Sequence, residues 1–193
     1  MKVLVIFDHP RRHSFCGAVL DKLLAGLAEA GHEVEIADLH AEGFDPRMPV
    51  ADEPDWADPD KRYSAAVLAE QARIARNEML VFVFPVWWWS LPAMLKGWID
   101  RVWNNGWAYG ARKLPHRRAL LVATAAGNAE DYRRRGYDRA MLTQIVTGIM
   151  NYCGIADAEL RVLYDVTEDD GERRRAHLQE ARALGRSFAA QPA

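Results

Sequence analysis

Three short stretches of this chain carry side chains that could do chemistry. The first is "DHPRRHS" at 8–14, which follows an apolar run and leads into residues with helical spacing. Unpaired backbone N–H groups and the positive end of a helix dipole favour an anion at such a junction. His9, Arg11, Arg12 and His13 add positive or potentially positive charge, and the Ser14 hydroxyl adds a donor. A phosphate fits this chemistry; so does a plain exposed basic turn ending in a serine cap. The loop has neither the G-x-G-x-x-G spacing nor a Walker lysine, which argues against a dinucleotide on a Rossmann site and against ATP hydrolysis.

The second stretch is "FPVWWWSLPAMLKGWIDRVW" at 84–103, where five of the seven tryptophans fall within seventeen residues. Pro85 ends an apolar run, and Pro92 reads as a first-turn residue of the next helix, where its missing N–H costs nothing. The backbone between them is pinned at both ends. Its N–H groups, free of strand pairing, and the flat side chains match a planar heteroaromatic with polar edges, such as an isoalloxazine ring. Core or subunit-interface filling is the competing reading, and three successive side chains cannot all point one way. Trp98, at helical spacing, reads as core. Gly97 in mid-helix costs about 1 kcal/mol against Ala, and close approach of a neighbouring backbone would explain it. The third stretch, "TAAGNAEDY" at 124–132, is rich in small residues. These let backbone N–H groups approach a ligand, or simply make a flexible connection.

The elements that must position these stretches follow from periodicity. "KVLVIF" at 2–7 and "LVFVF" at 80–84 are unbroken apolar runs, as expected of parallel strands covered on both faces. Further strands are expected at 32–39, 118–124 and 158–164. Helices fit 15–30, 63–77, 91–103, 130–153 and 171–189. In the first of these, Ser14 can cap the start and Gly31 can end it. In the third, Leu91, Leu95, Trp98, Ile99 and Val102 share one face, and Lys96 and Asp100 form an i, i+4 pair. Residues 40–62 are rich in Asp, Pro and Glu and read as a long loop, functional or mobile. Alternation of strand and helix gives an α/β three-layer sandwich with a parallel sheet. In such sheets ligands bind beyond the carboxyl ends of the strands, where strand order reverses. The three stretches converge there if the order is the flavodoxin-like 2-1-3-4-5.

Composition fits this picture. The 193 residues, half of them hydrophobic, suit a single domain spanning 1–193. A formal net charge of −2 argues against a nucleic-acid partner, and the "RRR" clusters at 133–135 and 173–175 read as solvated helix faces. Two cysteines, Cys16 and Cys153, are too few for a disulfide framework, and no metal-ligand spacing occurs. With no apolar span suited to a membrane and no signal-peptide pattern, the chain is expected to be cytoplasmic and not membrane-inserted.

At this point the residues carry a resemblance. Pro85, Trp88, Trp89, "PA-x-LKGW-x-D-RV" from Pro92 to Val102, and "WAY" at 107–109 resemble the NAD(P)H:quinone oxidoreductase (DT-diaphorase) family, within the flavodoxin-like fold. The likeness spans nearly the whole chain. It implies a flavoprotein reductase carrying FAD or FMN, with FAD favoured. In the family the His and Ser-Phe loop holds the flavin phosphate, here His9, His13, Ser14, Phe15 and Cys16. The loop after the third strand, here Pro85, Val86, Trp87, Trp88 and Trp89, meets the isoalloxazine. The loop after the fourth, here Ala123, Thr124, Ala125 and Ala126, meets its pyrimidine end. A tyrosine beyond, here Tyr132, stabilises charge on the reduced ring. Members are homodimers with the site at the subunit interface, so Trp107 and Tyr109, walled by Trp103, would line the substrate pocket of the partner's flavin. NAD(P)H would be the co-substrate and a quinone-like molecule the acceptor, in ping-pong order. The alternative the family offers is a regulatory flavin-binding subunit of a potassium-efflux transporter. The chain departs from the family in four places: Cys16 stands for Asn, Ala125-Ala126 for Gly-Gly, Thr124 to Tyr132 is one residue longer, and Tyr137 is the nearest residue to an absent His.

Overall fold

The computed structural model describes residues 1–58, 60–167 and 171–188. Five strands, β1 (Lys2–Phe7), β2 (Glu33–Asp38), β3 (Met79–Pro85), β4 (Arg118–Thr124) and β5 (Asp157–Leu163), form one sheet in the order β2-β1-β3-β4-β5. All four pairings are parallel. The unbroken apolar runs lie in the middle of this sheet because both of its faces are covered. Val3, Val5, Phe7, Val81 and Val83 point to one core, and Leu4, Ile6, Leu80, Phe82 and Phe84 to the other. Helices α1 (Phe15–Glu29) and α6 (Gly171–Ser187) cover the first face. α2 (Ala65–Ala75), α3 (Ala93–Val102) and the segment after β4 cover the second. Residue 189 of the expected closing helix lies outside the described residues.

The capping signals act as their chemistry dictates. The Ser14 hydroxyl accepts the Gly17 N–H at 3.1 Å, and Gly31 follows α1 at φ 75°. The Lys96–Asp100 pair forms at 2.6 Å. Two expectations need correction. Pro92 is the N-cap of α3 and not a first-turn residue, with φ −62° and ψ 155°. The single helix expected over 130–153 is three pieces. α4 (Ala129–Arg135) ends at Gly136, whose φ of 75° no helix can continue, and α5 (Tyr137–Met141) then passes into an i→i+5 bonded stretch, Leu142–Asn151. Such wide turns are rare and concentrate at functional sites.

Gly97 is explained by close approach. A Cβ there would lie 2.4 Å from the Pro46 carbonyl oxygen. Gly97→Ala, favourable in an isolated helix, is therefore expected to destabilise the protein by about 1–3 kcal/mol through overpacking. A lower urea midpoint at unchanged m-value would show it; a higher midpoint would overturn it.

Candidate active site

The carboxyl ends of β1, β3 and β4 lie side by side, so the three loops converge as the strand order requires. The loop after β3 is a tight turn. The Val86 N–H donates to Thr124 O at 2.8 Å, the Trp87 N–H to Ser90 O at 3.3 Å, and the Ser90 N–H to Trp87 O at 3.1 Å. Trp88 and Trp89 are its central residues, at φ 52° and 54°. Two positive-φ residues at the centre of a turn are the arrangement usually filled by Asn-Gly. Two tryptophans there carry strain of the kind that gathers at functional sites. Of the N–H groups at 86–90, expected to be free, only those of Trp88 and Trp89 lack a partner among the described residues. Trp89 stacks on Tyr137 with centroids 4.1 Å apart, and the Ser90 hydroxyl lies 2.8 Å from Gln144 Oε1. Trp87 tilts toward His9 at 6.4 Å. Trp88 stands out, 87 % exposed. Pro85 itself is buried as the last residue of β3.

In the loop after β1, the N–H groups of Phe15 and Cys16 at the start of α1 have no partner among the described residues. His9 Nδ1 accepts the Arg11 N–H at 3.0 Å, which leaves Nε2–H as the outward donor. Burial, with Arg11 beside it, pushes the His9 imidazolium pKa down, which favours the neutral ring. His13 is exposed. Arg12, expected to add charge to the loop, instead bonds Gly17 O at 3.2 Å and pairs with Asp21. The Phe15 ring turns away to α6, beneath Arg174 at 4.5 Å, so only its backbone faces the loop. Cys16 is buried, and burial pushes its thiol up to about 12, as expected of a packing residue and not a redox one.

The loop after β4 corrects a further expectation. Ala123, Thr124 and Ala125 are buried, and the Ala125 N–H is spent on Leu163 O at 2.8 Å. Because its methyl points into the core, Ala125 does not crowd the loop surface. The exposed residues are Ala126, Gly127 and Asn128, and Asn128 caps α4 through the Asp131 N–H at 2.8 Å. Tyr132 lies just beyond, edge-on to Tyr164 at 5.0 Å and Tyr137 at 5.8 Å. Burial, with both neighbouring phenols, pushes its own phenol up, which keeps it a proton donor.

The remaining aromatic residues do not join this group within one chain. Trp103 packs into the core, edge-on to Phe82 and Trp98 at 6.4 Å each. It floors a cavity of about 390 Å³ that Tyr109, Tyr152 and Met48 also line. Tyr109 sits between Trp56 at 5.6 Å and Tyr152 at 5.8 Å, and Trp107 packs half-buried on the core. No ring contact links them to the Trp87–Trp89 turn among the described residues. A second cavity, about 700 Å³, lies between the long loop and α2, with Phe44, Ala66 and Arg101 among its lining. None of its lining residues comes from the three loops.

Tyr137, noted from sequence only as the nearest residue to an absent His, braces the turn by stacking on Trp89. Gln144, which bonds Ser90, was not anticipated, and no local pattern marked it. The long loop is anchored to the rest of the fold at Asp52. Asp52, fully buried within it, accepts from Arg101 at 2.7 Å and from the Ser64 N–H and hydroxyl at 2.9 Å each. Among the described residues no cluster of three or more His, Cys, Asp or Glu side chains could hold a metal ion, and no helix is long and apolar enough to cross a membrane.

A parallel 2-1-3-4-5 sheet with loops gathered at its switch point defines a flavodoxin-like protein, and residues 1–184 match the Flavodoxin_2 family, described as a flavodoxin-like fold. The chain belongs to the NAD(P)H:quinone oxidoreductase family within that fold. It is 38 % identical over 172 residues to an uncharacterized NAD(P)H oxidoreductase, YcaK, of Escherichia coli K12, covering 89 % of this chain and 87 % of that one. It is 30 % identical over 177 residues to the ribosyldihydronicotinamide dehydrogenase (quinone) of Pongo abelii, covering 79 % and 77 %. The solved NAD(P)H:quinone oxidoreductase of Methanothermobacter marburgensis superposes with a TM-score of 0.95 at 30 % identity, covering 100 % of this chain and 98 % of that one.

Proposed function

We propose that the protein is a flavin-dependent NAD(P)H oxidoreductase acting on a quinone-like acceptor, as a cytoplasmic homodimer. The observation that carries this reading is the pair of unpartnered N–H groups on Trp88 and Trp89, held at the sheet's switch point by a strained turn. A second unpartnered pair, on Phe15 and Cys16, stands at the start of α1. The two pairs suit the two ends of one ligand, a ring with polar edges and an anionic tail. FAD is the flavin we favour, with FMN the alternative.

When bound, the flavin supplies two-electron hydride transfer, taken from NAD(P)H and passed to the acceptor in ping-pong order. Ser14, with the Phe15 and Cys16 N–H groups and His9 Nε2–H, holds the phosphate end. The Trp88 and Trp89 N–H groups donate to the ring edge, where fixed backbone dipoles stabilise developing negative charge without reorganising. Ala126 and Gly127, small and exposed, would border the ring, and the Tyr132 phenol, kept protonated, would supply a donor. The bare Trp88 face gives the nicotinamide or the acceptor a surface to stack on. Trp107 and Tyr109 make no ring contact with this turn within one chain among the described residues, and in the dimer they would reach the partner's site.

The test is direct. The purified protein is expected to bind flavin with a yellow spectrum, and heat release followed by chromatography distinguishes FAD from FMN. Initial rates at varied NAD(P)H and quinone are expected to give parallel double-reciprocal lines. A protein that binds neither flavin overturns the proposal, and intersecting lines overturn the ping-pong order.

A further inference from the structure

The end of β1 holds a charged side chain where none is expected. Asp8 is 0 % exposed, and its own N–H continues the sheet by donating to Val83 O at 3.0 Å. A carboxylate in such a place costs free energy unless each oxygen is bonded. Both are. Oδ2 accepts the Leu95 N–H at 2.8 Å, and Oδ1 lies 2.8 Å from His40 Nε2.

The Leu95 bond supplies something α3 lacks. Leu95 is the third residue of α3, and its N–H is one of those an N-cap side chain normally satisfies. The residue at the cap is Pro92, which makes no such bond. Asp8, 87 residues earlier, does that work and adds a negative charge at the positive end of the helix dipole. Only Leu91 and Pro92 separate α3 from the Trp87–Ser90 turn. Asp8 also precedes His9 in the phosphate-side loop, and its partner His40 opens the long loop. One carboxylate thus ties together the loop after β1, the start of α3 and the start of the long loop.

We propose that Asp8 is a positioning residue of the flavin site: it is the surrogate cap of α3 and thereby fixes the strained Trp87–Ser90 turn, with His40 steadying its second oxygen. This rests on the flavin reading given above. Asp8 touches no reacting atom; it acts through α3.

Two readouts test it, one of them without flavin. In flavin-free protein, Asp8→Ala is expected to speed hydrogen exchange in the peptide spanning 86–96 by about tenfold, the scale of one lost charge-assisted hydrogen bond. Asp8→Asn, whose amide oxygen can still accept from Leu95, is expected to restore protection. In titrations, Asp8→Ala is expected to weaken riboflavin and FMN by the same factor, again about tenfold. The ratio of their Kd values, which reports the phosphate end, is expected to stay fixed. Unchanged exchange and unchanged affinity in folded Asp8→Ala would overturn the proposal. So would a loss confined to FMN, which would place Asp8's role in the phosphate loop. If Asp8→Ala does not fold, Asp8→Ser, too short to reach Leu95, carries the same two readouts. A wild type that binds neither flavin overturns the flavin reading; a wild type that binds both, with Asp8→Ala binding equally well, overturns the positioning role alone.

Discussion

Replacing Trp88 with Gly is expected to leave the protein as stable as before, or more stable, while removing most of its activity. Trp88 sits at φ 52°, where a bulky side chain is strained by about 1–2 kcal/mol and Gly is not. Its side chain is 87 % exposed, so little buried area is lost. Gly returns part of the gain as chain entropy, leaving a net change of about 0–1 kcal/mol in favour of the variant. That corresponds to a melting temperature unchanged or raised by about 2–4 °C. The ring surface offered to nicotinamide and acceptor disappears with the indole, and loss of an aromatic stack is expected to lower kcat/KM by about tenfold. Thermal unfolding and steady-state kinetics on one preparation check both halves. A variant that is clearly less stable, or fully active, would show that Trp88 serves packing and not the reaction.

The largest loss of stability is expected from Asp52→Ala. Burial alone would push the Asp52 carboxyl up, but the Arg101 guanidinium and both Ser64 donors outweigh it and hold the carboxyl below its usual value. Removing it strands a buried guanidinium, which costs about 3–5 kcal/mol. Since Arg101 belongs to α3 and Asp52 to the long loop, the loop at 40–62 should loosen with the global loss. The double variant Asp52→Ala/Arg101→Met is expected to recover part of the stability, because it removes the stranded charge. The linkage has a definite sign. A depressed carboxyl contributes stability that is complete above the unfolded value of about 3.9 and is lost as pH falls through the lower folded value. The wild type should therefore lose stability below about pH 4 more steeply than Asp52→Ala does. Chemical denaturation at pH 3 and pH 7 measures the difference; equal pH slopes would show that the pair is not coupled to folding.

The central strands were legible because parallel strands buried on both faces must be apolar without alternation, as "KVLVIF" and "LVFVF" are; their order was implied only by the family resemblance, since no local pattern encodes which strands pair. The capped ends of α1 were legible from Ser14 and Gly31, since those side chains act locally. The Trp turn was legible as a candidate but not as a conformation: no local preference puts two tryptophans at positive φ, and only the surrounding structure holds them there. Trp103 has both a core and a cavity place: its spacing of four residues from Ile99 puts both on the buried face of α3, and both line the cavity with Tyr109. The break at Gly136 was visible as a glycine after three arginines, yet the apolar spacing beyond it hid the stop. Asp8 could not be read as a cap from sequence, because its bond to Leu95 exists only once β1 and β3 are paired.

The tryptophan distribution gives the chain a built-in optical gauge. Trp98 and Trp103 are sealed in the core, while Trp88 stands in water and Trp89 lies against Tyr137. Indoles in these two settings emit at different wavelengths, so blue-side intensity reports on the core and red-side intensity on the exposed rings, those of the turn together with Trp56. A ring seated at the turn would dim the red side first, whereas unfolding would shift the blue side. Occupancy and integrity of the fold could therefore be followed together in a single cuvette without any label.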